Sequence, residues 1–164
     1  MIIWLASYPK SGNTWLRFFV ISLLMGKKTN LNLNHLKAIL AYPNVSHFEN
    51  LVSNYLDLNE IGKNWILSQD RINADKNLRF FKTHNMLGKL NNHQFTDNKN
   101  TLGAIHVVRD PRNIITSLKN HLSFPTYNEA KEFMFNEKQI LSLSDQEKER
   151  YEKYKTKYPL PQII

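Results

Sequence analysis

Residues Ile2–Trp15 read I-I-W-L-A-S-Y-P-K-S-G-N-T-W, and the chain then runs apolar to Met25, broken only by Arg17 and Ser22. A short apolar run closed by Tyr8-Pro9 is the pattern of a buried strand, Ile2–Ser7. Beyond the loop, Leu16, Phe19, Val20, Leu23 and Leu24 recur at helical spacing, and Phe18 and Ile21 extend the apolar surface. A helix apolar nearly all round should be sunk between a sheet and other helices. Gly26 marks its stop. Between strand and helix stand Lys10, Ser11 and Gly12. Strand, Lys- and Gly-bearing loop and helix start together make an anion cradle. The first N–H groups of the helix point at the anion, the helix dipole favours its charge, and a lysine adds a point charge.

The rest of the chain repeats the alternation of strand and helix. His35–Leu40 and Glu60–Leu67 read as helical, Leu78–Lys82 as a strand, and Asn85–Asn100 as a polar surface connection. Gly103–Val108 is a second apolar strand-like run. Asp110 then takes the N-cap and Pro111 the first helical position, where a missing N–H costs nothing. Ile114, Ile115, Leu118 and Leu122 form that helix's apolar face. Two further helical stretches, Glu129–Leu141 and Asp145–Lys157, lead to a helix-terminating tail, Tyr158-Pro159-Leu160-Pro161. This order predicts an α/β fold, a parallel sheet flanked by helices on both faces, in one domain spanning residues 1–164.

Composition narrows the class. A chain of 164 residues is long enough to bury about 70 % of its unfolded surface. With no cysteine there are no disulfides or thiolate metal sites, and a reducing, cytoplasmic setting fits. The net charge of +8 comes from scattered basic residues, with Lys27-Lys28 the only short basic pair. That distribution suits a small polyphosphorylated ligand better than nucleic acid. The apolar N-terminal runs fall short of the ~20 residues that span a bilayer.

Three places carry chemistry. The first is the loop: Lys10 is positioned for a phosphate, Ser11, Gly12, Asn13 and Thr14 offer backbone N–H groups and hydroxyls, and Trp15 either stacks on a base or joins the core. The second is Lys82-Thr83-His84 at a strand end, where ligands of parallel sheets bind. There an imidazole suits a general base and a lysine suits a developing negative charge. The third is Arg109, also at a strand end, with Ser117 in the following helix; a guanidinium fork and a hydroxyl match a phosphate. His106 reads as a core or crevice-lining residue. His35, His47, His93 and His121 lack metal-ligand spacing, and Phe133-Met134-Phe135 reads as helix packing or the border of a pocket.

Lys10 precedes Ser11-Gly12 and no earlier glycine opens the loop, unlike the G-x-x-x-x-G-K-[ST] loop of nucleoside triphosphatases. The conjunction of Y-P-K-S-G-x-T-W, K-T-H and R-x-P-x-x-x-x-x-S, in that order, resembles the sulfotransferase family. The resemblance implies a P-loop-type three-layer α/β architecture and transfer of a sulfuryl group from 3′-phosphoadenosine 5′-phosphosulfate (PAPS) to a hydroxyl or amine. It leaves 3′-phosphoadenosine 5′-phosphate as product, without a metal. It implies Lys10, Ser11, Gly12, Asn13, Thr14 and Trp15 for the phosphosulfate and adenine, Arg109 and Ser117 for the 3′-phosphate, and His84 as base beside Lys82. The acceptor would be a small molecule or carbohydrate, held by residues 30–74 and the segments after Ser123. Asn13 replaces the family's usual threonine. No glycine follows Gly103, so the family's late R-K-G-x-x-G segment has no counterpart. A C-terminally truncated form is therefore expected, and a non-catalytic nucleotide-binding or interaction module is one alternative. A phosphoryl-transfer enzyme is the other.

Overall fold

The computed structural model describes residues 1–26, 30–137, 139–142, 149 and 159–164. Along the chain come β1 (Ile2–Ser7), α1 (Asn13–Met25), two 3-10 turns (Leu33–Ala38 and Val45–His47), α2 (Leu58–Lys63) and α3 (Trp65–Ile72). There follow β2 (Arg79–Thr83), β3 (Lys89–Leu90), β4 (His93–Gln94), β5 (Thr101–Val107), α4 (Pro111–His121) and α5 (Tyr127–Phe135). A last pair, β6 (Ile140–Leu141) and β7 (Gln162–Ile163), completes the described elements. The main sheet is parallel, in the order β2-β1-β5, and helices flank it. In register, Trp4 lies between Phe81 and Ala104, and Ala6 between Thr83 and His106.

Strand alternation sends the two faces of β1 into different cores. Ile2 and Trp4 join Tyr42, Phe48, Trp65, Phe81 and Phe95 in the larger cluster. Leu5 meets Val20 and Ile21 of α1 and Ile39 on the other face. The ring of Trp4 lies 5.2 Å from both Tyr42 and Phe95, and its Nε1–H donates to Thr101 Oγ1 at 2.8 Å. A third cluster forms where α4 packs on α5 through Ile114, Leu118 and Ala130.

Several sequence expectations are corrected. Helix α1 begins at Asn13 and packs on β1 and the first 3-10 turn. Val20 and Ile21 are buried, but Phe19, Leu23 and Leu24 are exposed, because a three-stranded sheet covers only one side of the helix. The helical stretch expected over 35–40 is a 3-10 turn over Leu33–Ala38 that ends at Ile39. The helix expected over 60–67 is two helices that meet at Asn64, which caps one and starts the other. Its side chain donates to the Glu60 carbonyl at 2.9 Å, competing with the helical ladder.

The polar connection 85–100 contains a hairpin, turned at Asn91-Asn92 with both residues at positive φ, as a two-residue turn of this hand requires. Buried Phe95 follows it. The helix expected over 129–141 ends at Phe135 and gives way to β6. The stretch 145–157 lies outside the described residues apart from Glu149. The tail is not a mere stop: Leu160 is buried and β7 pairs antiparallel with β6. Among the described residues no helix is long and apolar enough to cross a membrane.

Tyr42 ties the large core to the sheet edge. Its backbone N–H donates to the Lys82 carbonyl at 2.8 Å, and its hydroxyl donates to the Trp65 carbonyl at 3.1 Å beside Ser68 Oγ and Gln69 Nε2. Removing one partner of a buried polar group costs about 1–3 kcal/mol. Tyr42→Phe should lower the free energy of unfolding by about that amount, read as a shift in the urea midpoint without a change in slope.

Candidate active site

The loop after β1 is shaped by two residues in the left-handed region, Lys10 (φ 66°) and Gly12 (φ 107°). Gly12 is the N-cap of α1 and offers no side chain to cap it. The first helical bond runs from Leu16 N–H to the Gly12 carbonyl at 3.1 Å, so the N–H groups of Asn13, Thr14 and Trp15 are left over at the helix start. The first turn contains no acidic side chain to oppose an anion. The Ser11 hydroxyl is buried with no hydrogen-bond partner among the described residues. An uncapped helix start beside an orphaned hydroxyl fits a phosphate-type anion. Lys10 stands half-buried on this loop, while Thr14 and Trp15 are exposed.

Asn13 does something its position alone did not reveal. Its amide donates to the Leu5 carbonyl at 2.8 Å and to Ser7 Oγ at 3.1 Å, stapling the helix start to the end of β1. The side chain is thus committed to the loop's shape, and only its backbone N–H remains for a ligand.

His84 follows β2 and reaches across to β1. Its Nδ1–H donates to the Ser7 carbonyl at 2.7 Å, with Ser7 Oγ at 3.3 Å from the same nitrogen. That bond selects the tautomer in which Nε2 carries the lone pair. Burial, with the charges of Lys82 and Arg17 nearby, pushes the imidazole down to about 4, so it is neutral at pH 7. Burial and the Arg17 guanidinium likewise bring Lys82 down to about 8. The His84 backbone N–H is held by Gln162 Oε1 at 2.8 Å.

Arg109 lies just beyond β5 and donates from Nη1 to the Lys10 carbonyl at 3.1 Å, which brings the third motif onto the first. Its helix is capped as expected: Asp110 accepts from Arg112 N–H at 2.9 Å, with Pro111 in the first turn. Ser117 is half-buried on α4. A cavity of about 510 Å³ opens beside His84, lined by Trp4, Ala6, Met86, Phe95, Ala104 and His106 among others. Its walls come from β1, Tyr8, residues 83–87 and 95–96, and β5, with Ile164 from the segments after Ser123 and none from residues 30–74. Phe133 and Met134 pack in the α4–α5 cluster instead, and Phe135 is exposed.

The family model described as "Sulfotransferase domain" matches residues 2–158. The chain belongs to the sulfotransferase domain family. Among curated proteins none matches the sequence. In this sulfotransferase-family chain the loop, Lys82-His84 and Arg109 all gather at the carboxyl edge of one parallel sheet. Among the described residues no group of three or more His, Asp or Glu side chains is arranged to hold a metal ion.

Three contributors had escaped the sequence reading. Arg17 sits on α1, donates to the Ile39 carbonyl at 2.7 Å, and leaves its buried Nε without a partner among the described residues. An arginine inside an apolar helix was the available signal. Ser7 is the anchor of His84, and Gln162 holds its backbone. Neither stands out, because both contacts join residues more than 70 positions apart.

Two outcomes are expected. In Gly12→Ala the new Cβ would meet only Val107 Cγ1 at 3.9 Å, so the penalty is conformational. It should be about 1–2 kcal/mol in denaturant unfolding. For His84, the folded value near 4 lies below the ordinary 6.5, so the unfolded chain binds more protons between them. His84 therefore stabilises above pH 6.5 and loses that contribution as pH falls toward 4. Melting temperatures of wild type and His84→Gln should converge over that window, with no comparable convergence between pH 7 and 8.

Proposed function

We propose that this chain transfers a sulfuryl group from PAPS to a hydroxyl or amine acceptor. One observation carries the reading: a neutral imidazole, fixed through Nδ1 to Ser7, stands at the same sheet edge as an uncapped, lysine-bearing helix start. Bound PAPS would supply the sulfuryl group and a nucleotide leaving group. Lys10, the N–H groups of Asn13, Thr14 and Trp15, and the Ser11 hydroxyl would hold the 5′-phosphosulfate. Trp15, exposed at the first turn of α1, is available to an adenine ring, and Arg109 with Ser117 would take the 3′-phosphate.

His84 Nε2 would accept the acceptor's proton as the new bond to sulfur forms and the bridging S–O bond breaks, its electron pair leaving with the nucleotide. Lys82 and Lys10 would offset the charge that develops on the leaving oxygen. A base with a value near 4 is weak. The bound polyanion raises it, since opposite charge favours the imidazolium. Family membership favours sulfuryl over phosphoryl transfer.

The test separates nucleotide binding from chemistry. Without metal, 3′-phosphoadenosine 5′-phosphate should raise the melting temperature more than AMP or ATP at equal concentration, and Arg109→Ala should reduce that preference. In His84→Ala the bisphosphate shift should persist while transfer falls about 10²-fold or more. Equal stabilisation by all three nucleotides would overturn the donor assignment, and parallel loss of binding and turnover in His84→Ala would overturn the base.

A further inference from the structure

Strand β2 ends at Thr83, and a chain that leaves a sheet takes its N–H groups away from their ladder partners. The next three N–H groups all find replacements. His84 N–H donates to Gln162 Oε1 at 2.8 Å, and the Thr83 hydroxyl donates to the same oxygen at 3.4 Å. Asn85 N–H donates to Thr83 Oγ1 at 3.0 Å, and Met86 N–H donates to the Ile163 carbonyl at 2.8 Å. The contact is returned from β7, where Ile163 N–H donates to Asn85 Oδ1 at 2.9 Å. Gln162 and Ile163 thus clasp residues 84–86, standing in for the sheet neighbour that β2 has left behind.

The clasp is itself anchored. Strand β7 pairs with β6, Ile164 N–H donates to the Gln139 carbonyl at 3.1 Å, and Leu160 N–H donates to the Pro43 carbonyl at 3.1 Å. Leu160 and Ile163 belong to the same core cluster as Trp4 and Tyr42. Gln162 is 2 % exposed, so its amide has little water to bond instead. It must present its oxygen to His84, because a backbone N–H can only donate. Residues 159–164 lie beyond the stretch 2–158 that matches the family model, and the match does not account for them.

We infer that Gln162 is a positioning residue for His84, and that the segment 159–164 is what holds this imidazole in place. The ring bond from Nδ1–H to the Ser7 carbonyl selects one tautomer only while the backbone that carries the ring stays where it is. Without Gln162 Oε1 the His84 N–H is left without its partner, and a buried donor in that state is costly. The turn over 84–86 then moves to find another acceptor, the ring leaves Ser7, and its two nitrogens compete for the proton. The anion loop is spared, because its shape rests on Lys10, Gly12 and the Asn13 bond to the Leu5 carbonyl rather than on β7. The consequence for catalysis rests on His84 as the base proposed above; the consequence for the ring does not.

The experiment is nitrogen-15 NMR of the histidine rings in the full chain at neutral pH, with the His84 signals assigned by their loss in His84→Gln. Wild type should show His84 protonated at Nδ1 and bare at Nε2. Gln162→Leu removes the acceptor and should give averaged ring nitrogens, with kcat about 10²-fold lower and bisphosphate affinity unchanged. Gln162→Glu keeps an acceptor oxygen and should keep the wild-type tautomer, a rescue that a role in packing alone would not give. A wild-type tautomer in Gln162→Leu overturns the inference, and so does its equal loss in both variants. If neither variant folds, amide hydrogen exchange of the wild type decides. His84, Met86 and Ile163 should exchange together, about 10²-fold more slowly than exposed Leu87; His84 exchanging as fast as Leu87 overturns the clasp. The ring signature lost in Gln162→Leu, with no transfer even by wild type, would leave the positioning assignment standing and overturn the proposed function.

Discussion

Ser7, at the carboxyl end of the central strand, is the point on which the site depends. Its carbonyl accepts from His84 and its hydroxyl accepts from Asn13, so one residue fixes both the imidazole and the start of α1. Ser7 is itself held because β1 is bonded on both sides, to β2 and to β5. A central strand cannot slip without turning Trp4 and Leu5 out of their separate cores. Core packing thereby sets the register, and the register sets the distance between the helix start and the His84 imidazole.

The electrostatics follow from crowding three basic groups onto one side of the sheet. Arg17 stays charged because a guanidinium does not give up its proton in proteins, and its carbonyl partners on the first 3-10 turn keep it in place. Burial first, and the neighbouring charges after it, hold Lys82 and His84 below their ordinary values. The arrangement is biased toward receiving negative charge. An anion near these groups would favour their charged forms. The face around Trp4 is lined mostly by apolar side chains, so the two sides of this strand end differ in chemistry.

Much of this was legible in the chain. The strand before Tyr8-Pro9, the helix capped by Asp110 and Pro111, and the three motifs at strand ends all reflect local rules. Side-chain periodicity, capping and turn chemistry act over a few residues and so leave their marks in order. Less legible were the break at Asn64 and the turn at Asn91-Asn92, where asparagine's local bonding and tolerance of positive φ decided the backbone. The apolar run from Leu16 to Met25 announced a helix but misreported its burial, since burial depends on how many strands lie beneath it.

The sequence by itself determined that a strand, a lysine-bearing loop and a helix would follow one another, and that His84 and Arg109 would fall at strand ends. It did so because those features are set by neighbours within a turn or two. Only the tertiary structure decided that Ser7 fixes the tautomer of His84, that Lys82 and His84 are buried with Arg17 nearby, and that residues of β1, the 83–106 stretch and Ile164 wall one cavity. Each of these joins segments distant in the chain, and contact across such distances is decided by the parallel pairing of β1, β2 and β5 rather than by any local pattern.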